Sequence, residues 1–365
     1  MPETTALKHL GRGQRLTLGV AVVVTIAAGT AKAAGVASVP QFVIAGLALA
    51  TLAAVVGQAI EQVGERLGPG ATGLLQSTLG NLPELFVCLF ALSDGLDGVV
   101  RAALVGSVLG NAVLVLGCAF VAGGLRHGPQ KFNPEGPRLN ASLLLLVVAA
   151  LMVPTLASKL GTPAAAHTGT LSNVCAVVLL IVYAASLPFY LRDRSDGTAQ
   201  RSAPAAGQAD SEPWPLRLSV GLLAFGSAGA ALAADWFVQP LQVATRSIGI
   251  SETFTGLVIV AIASNAVENA VGIRFALRAK PEYAISTSLN SPLQVALLLT
   301  PVLVLLSSAV GPTKLTLVFP PLLVAALAIS TLVVTVVIYD GEYTWIEGVA
   351  LIGLYFIIAT AFWWG

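Results

Sequence analysis

Leu79-Gly80-Asn81-Leu82-Pro83-Glu84-Leu85 and Ala263-Ser264-Asn265-Ala266-Val267-Glu268-Asn269 each set an Asn three residues before a Glu inside an apolar run. Asn81 and Asn265 lie 184 positions apart, as do Glu84 and Glu268, and Ser107 and Ser291 keep the same offset. Three polar matches at one spacing in mostly apolar sequence mark an internal duplication. Residues i and i+3 share a helix face, so each copy aims an amide and a carboxylate the same way. Gly80 would let backbone or an ion approach closely. Pro83 lacks an N–H, which would free a carbonyl one turn earlier.

The surrounding chain sets the environment of these groups. Hydrophobic residues make up 56% of the 365 and charged residues 10%, well below the roughly one quarter usual for soluble domains. The apolar runs read as membrane spans over 16–38, 40–66, 70–93, 98–124, 139–158, 169–191, 216–244, 251–278, 283–309, 315–338 and 344–364. The expected fold is therefore an all-α polytopic membrane protein of about eleven transmembrane helices. Residues 1–39 would form a tail and leading helix, 40–191 a first five-helix repeat and 216–365 a second. Residues 192–215, rich in Asp, Arg, Ser, Ala, Pro and Gly, read as a flexible cytoplasmic linker. From the third span to the eighth the chain advances five helices, an odd number, so the two halves would be an inverted repeat.

Charge distribution gives the orientation. Thirteen Lys and Arg residues fall on the side of the N-terminus and the even loops, against five on the other, so the N-terminus and linker are expected in the cytoplasm. Arg274 lies inside a span near the basic side and is expected to snorkel. Lys8, Arg12 and Arg15 precede an apolar run from Leu16, and Ala31-Lys32-Ala33 has the small-residue character of a cleavage site. The apolar pattern continues to Val39, which favours an uncleaved first helix. Cys88, Cys118 and Cys175 sit in apolar stretches without metal-type spacing and read as buried thiols. His9, His127 and His167 fall in loops, which excludes a histidine relay within the membrane.

An ionised side chain at the bilayer centre costs about 2.5–3.5 kcal/mol on insertion scales. Two such residues at matched positions are a heavy burden for packing alone. If each Glu were simply protonated against a neighbouring helix, the repetition would go unexplained. Asn81, Glu84, Asn265 and Glu268 are accordingly the expected metal ligands. Ser107, Ser291 and Gln294 would join them as ligands or supports, with small-residue packing as their alternative role; Asn111 and Asn290 add further oxygens. Hard oxygen donors suit Ca²⁺, and also Na⁺, Mg²⁺ or Mn²⁺, better than Zn²⁺ or Cu⁺. Two carboxylates balance one dication, and their mutual repulsion favours protonation once the metal leaves. Such a site holds a dication or protons in turn, which with alternating access gives antiport. Glu61, Glu65, Asp235 and Glu252 lie near span ends and read as entrance or proton-path carboxylates, or as solvated interfacial charges.

At these residues the sequence resembles the calcium/proton antiporter family of the calcium/cation antiporter superfamily. That family's first repeat commonly reads Gly-Asn-Ala-Thr-Glu-Leu followed by a Gly-Ser pair; here the positions are Gly80 to Leu85 and Gly106-Ser107. Its second commonly reads Gly-Asn-Ala-Ala-Glu-His, matched by Ser264 to Asn269. Gly249-Ile250-Ser251-Glu252-Thr253-Phe254, Asp340-Gly341-Glu342 and Trp345-Ile346-Glu347-Gly348 are similar to the family as well. The resemblance runs from about residue 40 to the end. It implies a leading helix plus five and five, ligation of the metal by Glu84 and Glu268, and proton-driven export of Ca²⁺ from the cytoplasm. Three positions depart from the pattern: Asn269 replaces the His, Asn290 replaces a Gly, and Pro292 follows Ser291. Leu82-Pro83-Glu84 also resembles the Leu-Pro-Glu of sodium/calcium exchangers. These departures bear on proton coupling and ion selectivity.

The leading expectation is a Ca²⁺/H⁺ antiporter in the plasma (inner) membrane, with a Na⁺-coupled exchanger of the same fold as the alternative. A passive channel would need a continuous hydrated path, which intramembrane carboxylates in an inverted repeat argue against. No nucleophile–base pair, phosphate loop or metal-hydrolase spacing lies in the spans, which argues against an enzyme. No resident cofactor is expected, since the cation is cargo. The expected partners are Ca²⁺, H⁺ and the lipid bilayer; no basic face suggests nucleic acid, and homo-oligomer formation is left open.

Overall fold

Long apolar runs punctuated by Gly, Pro and charge become helices, because within a bilayer each backbone N–H and C=O must be satisfied inside its own segment. The computed structural model describes residues 10–67, 79–193 and 214–364, with the side chains of 64–67, 189–193 and 267 also outside the description. In order, the helices are α1 Arg12–Ala33, α2 Ser38–Leu67, α3 Leu82–Ser93, α4 Asp97–Leu109, α5 Leu116–His127, α6 Glu135–Lys159 and α7 Thr168–Asp193. After the linker come α8 Leu216–Val238, α9 Leu241–Ile248, α10 Glu252–Ser264, α11 Ala266–Leu277, α12 Pro281–Gln294, α13 Thr300–Val310, α14 Pro321–Val337 and α15 Trp345–Ala361. Seven helical stretches among the described residues are long and apolar enough to cross a membrane; α3, α14 and α15 are shorter apolar helices. The start of the third expected span, Glu65, and nearly all of the linker lie outside the described residues or side chains.

Several boundaries differ from the sequence expectation for identifiable reasons. The seventh span stops at Val238, because Pro240 cannot continue the helix, and α9 ends on Gly249 at φ 76°. Ser251 then accepts the Phe254 N–H at 2.9 Å and opens α10. The tenth span was expected from residue 315, yet α14 begins only at Pro321. Leu315, Leu317 and Phe319 run non-helically and buried, their N–H groups donating to Ser307, Ser172 and Thr155 hydroxyls at 3.0, 2.9 and 3.1 Å. Side chains here replace the missing ladder. Pro83 falls in the first turn of α3, where its missing N–H costs nothing, rather than in a helix interior.

The chain forms two compact units that do not follow the sequence halves. The first comprises residues 1–90, 186–249 and 263–267. In it α8 packs along α2, with Phe42 stacked on Phe237 at 4.5 Å, and α1 lies against α2. Trp214, only 2% exposed, donates its backbone N–H to Gln62 at 2.8 Å and its indole N–H to Gln14 at 3.2 Å. The second comprises 91–185, 250–262 and 268–365. There α5 packs on α15, α6 on α14, and α4 crosses the start of α10. A two-stranded clip pairs β1 Gln130–Lys131 with β2 Glu342–Tyr343, and Tyr343 stacks on Phe120 at 4.0 Å. Thr344 and Glu347 form the capping box that starts α15.

Candidate functional site

The duplication seen in the sequence recurs in the secondary structure. An offset of 184 separates 82 from 266, 97 from 281 and 116 from 300, so α3 and α11, α4 and α12, and α5 and α13 start at equivalent positions. α3 and α11 are both 12 residues long. Each follows a turn, at Gly80-Asn81 and at Asn265, so both Asn residues stand just outside a new helix. The break frees backbone groups at the point where the sequence concentrates its polar side chains. Leu85 N–H donates to the Asn81 carbonyl at 2.9 Å as α3 begins.

Glu84 and Glu268 are thus each the third residue of a helix, beside its N-terminal N–H groups and the positive end of its dipole. An anionic oxygen is favoured there, and broken helices of this kind form substrate sites in membrane transporters. Glu84 is 1% exposed and Glu268 half-buried. Glu84, Asn81 and Asn265 belong to the first unit; Glu268, Ser107, Ser291 and Gln294 belong to the second. Asn81, Ser264 and Asn265 are buried, and Asn265 donates to the Ser264 hydroxyl at 3.2 Å.

Within the second unit the structure brings Ser107 and Ser291 together through Asn111. Asn111 Nδ2 donates to the Ser107 carbonyl at 3.1 Å and to the Ser291 hydroxyl at 3.5 Å, and all three residues are buried. Asn111 Oδ1 and Asn269 Oδ1 are buried without a hydrogen-bond donor. π-helical turns follow on both sides, at Gly110–Val115 and Val295–Leu299, again near the repeat offset. Such turns interrupt the i→i−4 ladder and are common at functional sites. Gln294 is partly buried at the end of α12.

A backbone crossing positions Ser107. A Cβ at Gly106 would lie 2.0 Å from the Leu257 carbonyl oxygen, and one at Gly256 would lie 2.5 Å from that of Val99. Only glycine permits this approach between α4 and the π-helical part of α10.

The peripheral carboxylates separate. Asp235 is committed to Lys32, 2.8 Å away, and to Gln239. Glu252 opens α10 beside its cap Ser251, and Glu61 is half-buried on α2. The sequence reading passed over Asn140, which is 4% exposed and donates to Asn290 Oδ1 at 2.6 Å. Its signal was a lone amide in an apolar span. Among the described residues no group of three or more His, Cys, Asp or Glu gathers. A cation held by these residues would draw on amide, hydroxyl and backbone oxygens besides carboxylates, which is the chemistry of a hard ion.

The family model for the sodium/calcium exchanger protein matches residues 37–191 and again 218–364. The chain belongs to the sodium/calcium exchanger family. This family member is 38% identical over 337 residues to a Ca²⁺/H⁺ antiporter of Synechocystis, covering 88% of this chain and 90% of that protein. It is 35% identical over 313 residues to the Ca²⁺/H⁺ antiporter ChaA of Bacillus subtilis, covering 85% and 88%. Among solved structures, native YfkE superposes with a TM-score of 0.81 at 30% identity, over 95% of this chain and 99% of that one. The sodium-calcium exchanger NCX_Mj shares the fold at a TM-score of 0.54 and 20% identity. The exchanger described here is therefore an all-α, multi-pass membrane transporter, not an enzyme.

Proposed function

We propose that the chain is a secondary antiporter that exports Ca²⁺ from the cytoplasm in exchange for H⁺. Glu84 and Glu268 supply its two carboxylates, and Asn81, Asn265, Ser107, Ser291 and Gln294 supply or support the remaining oxygens. The observation that carries this reading is the recurrence of one device: two broken 12-residue helices, each with Asn just before its first turn and Glu as its third residue. Asn111 Oδ1, buried without a donor, adds an oxygen of the kind a hard cation takes. Two carboxylates neutralise one dication, or take up protons after it leaves, so the two cargoes exclude each other. The twofold family match, 37–191 and 218–364, supports two repeats, and the Lys/Arg bias supports a cytoplasmic N-terminus in the plasma membrane. The Synechocystis and Bacillus relatives, both Ca²⁺/H⁺ antiporters by name, support the choice of ions.

Leu82-Pro83-Glu84 and Asn269, which stands where the calcium/proton antiporters commonly carry a His, favour a second reading in which Na⁺ replaces H⁺. Uptake of ⁴⁵Ca²⁺ into proteoliposomes decides between them. A pH gradient alone should drive uptake, with other divalent cations competing. Uptake that responds only to a Na⁺ gradient would transfer the assignment to the second reading, and none under either gradient would refute both.

A further inference from the structure

The two repeats hold their matched serines by different means. Ser107 follows Gly106, whose backbone is pressed against the Leu257 carbonyl. The equivalent of Gly106 at the offset of 184 is Asn290, and no glycine crossing is available there. The helix bearing Ser291 is also poorly braced by its own ladder. Pro292 removes an N–H immediately after it, and the π turn Val295–Leu299 interrupts the pattern again. Something outside α12 must therefore fix where the Ser291 hydroxyl points.

An amide chain supplies that support. Asn140 on α6 donates through Nδ2 to Asn290 Oδ1 at 2.6 Å, and Asn290 Nδ2 donates to the Ser286 hydroxyl at 3.1 Å. Both ends of the Asn290 amide are thus engaged, which fixes its orientation. One residue on, Ser291 meets Asn111. We propose that Asn140 and Asn290 are positioning residues for the cation site, forming a strut between α6 and α12 that holds Ser291 against Asn111. The proposal rests on the Ca²⁺ antiport reading and names a determinant of affinity outside the ligand set. Because the strut touches no cargo, losing it should weaken cation binding without slowing turnover at saturation.

The test measures the half-saturating Ca²⁺ concentration and the maximal rate of pH-driven uptake for wild type, Asn140→Ala, Asn290→Ala, the double alanine variant and Asn140→Leu/Asn290→Leu. The leucine pair replaces both partners with apolar groups of similar size, which spares the fold an orphaned amide. Each variant is expected to raise half-saturation about five-fold, as loss of one net hydrogen bond implies, with the maximal rate within about two-fold of wild type. The double alanine variant should match Asn290→Ala, since that single change already removes the Asn140–Asn290 bond together with the bond to Ser286. Unchanged half-saturation in the leucine pair, or multiplied effects in the double alanine variant, would overturn the strut while wild-type uptake leaves the antiport reading standing. Wild-type protein showing neither uptake nor Ca²⁺-dependent thermal stabilisation would instead refute the antiport reading itself, and the strut with it.

Discussion

At the scale of single residues, Glu84 and Glu268 carry the heaviest energetic load. Each places a carboxylate in an apolar span, where the bilayer penalises charge and a helix N-terminus offsets part of the penalty. Glu84→Gln and Glu268→Gln keep the shape but remove the charge and replace one acceptor oxygen with an NH₂ donor. Each should abolish Ca²⁺ flux while the protein still elutes as a folded species; near-normal flux in either variant removes that residue from the mechanism. Asn269 gives a second test at this scale, because its amide oxygen is buried without a donor and cannot titrate. Asn269→His introduces a group that changes charge near neutrality, so the pH profile of exchange should shift relative to wild type. An identical profile would show that position 269 lies outside the proton path. Most of these residues were legible in the sequence, since helix packing alone does not call for polar groups repeated at one offset in apolar runs. Asn140 was not, because its partner Asn290 lies 150 residues away and only packing brings them together.

Among the elements, the offset of 184 reappears in three pairs of helix starts, whereas the breaks inside the spans carry no signal in hydropathy. Apolar length locates spans but says little about where a helix stops within one. The turns before α3 and α11, the π turns after Ser107 and Ser291, and the non-helical run ahead of Pro321 all sit inside stretches that hydropathy joins into single spans. Two of them have local causes: Pro292 lacks an N–H just before the second π turn, and Ser172, Ser307 and Thr155 offer the backbone ahead of Pro321 an alternative partner. The crossing of α4 and α10 shows how narrow the tolerance is. In Gly106→Ala the new methyl would meet backbone on the facing helix, which no rotamer change can relieve. A loss of about 3 kcal/mol is expected, seen as a lower unfolding midpoint in detergent, together with weakened Ca²⁺ uptake because Ser107 is displaced. An unchanged midpoint would mean that the two helices can part freely at this point.

For the whole molecule, the division that the linker makes in the sequence is not the division that packing makes. α2 and α8 come from opposite sides of the linker, yet they lie along each other within one compact unit. Trp214, at the linker's end, is bonded to Gln62 and Gln14 far upstream. A gene cut between residues 200 and 205 would therefore yield two fragments, neither holding a complete packed body. Made alone, each should be degraded or aggregate; made together in one cell, they should find one another in the bilayer and restore ⁴⁵Ca²⁺ uptake. Uptake by either fragment alone would contradict the interleaving. The same arrangement bears on biosynthesis: the ribosome must deliver α8 before α2 has its partner, so the early helices wait half-finished in the membrane until the chain is nearly two-thirds made.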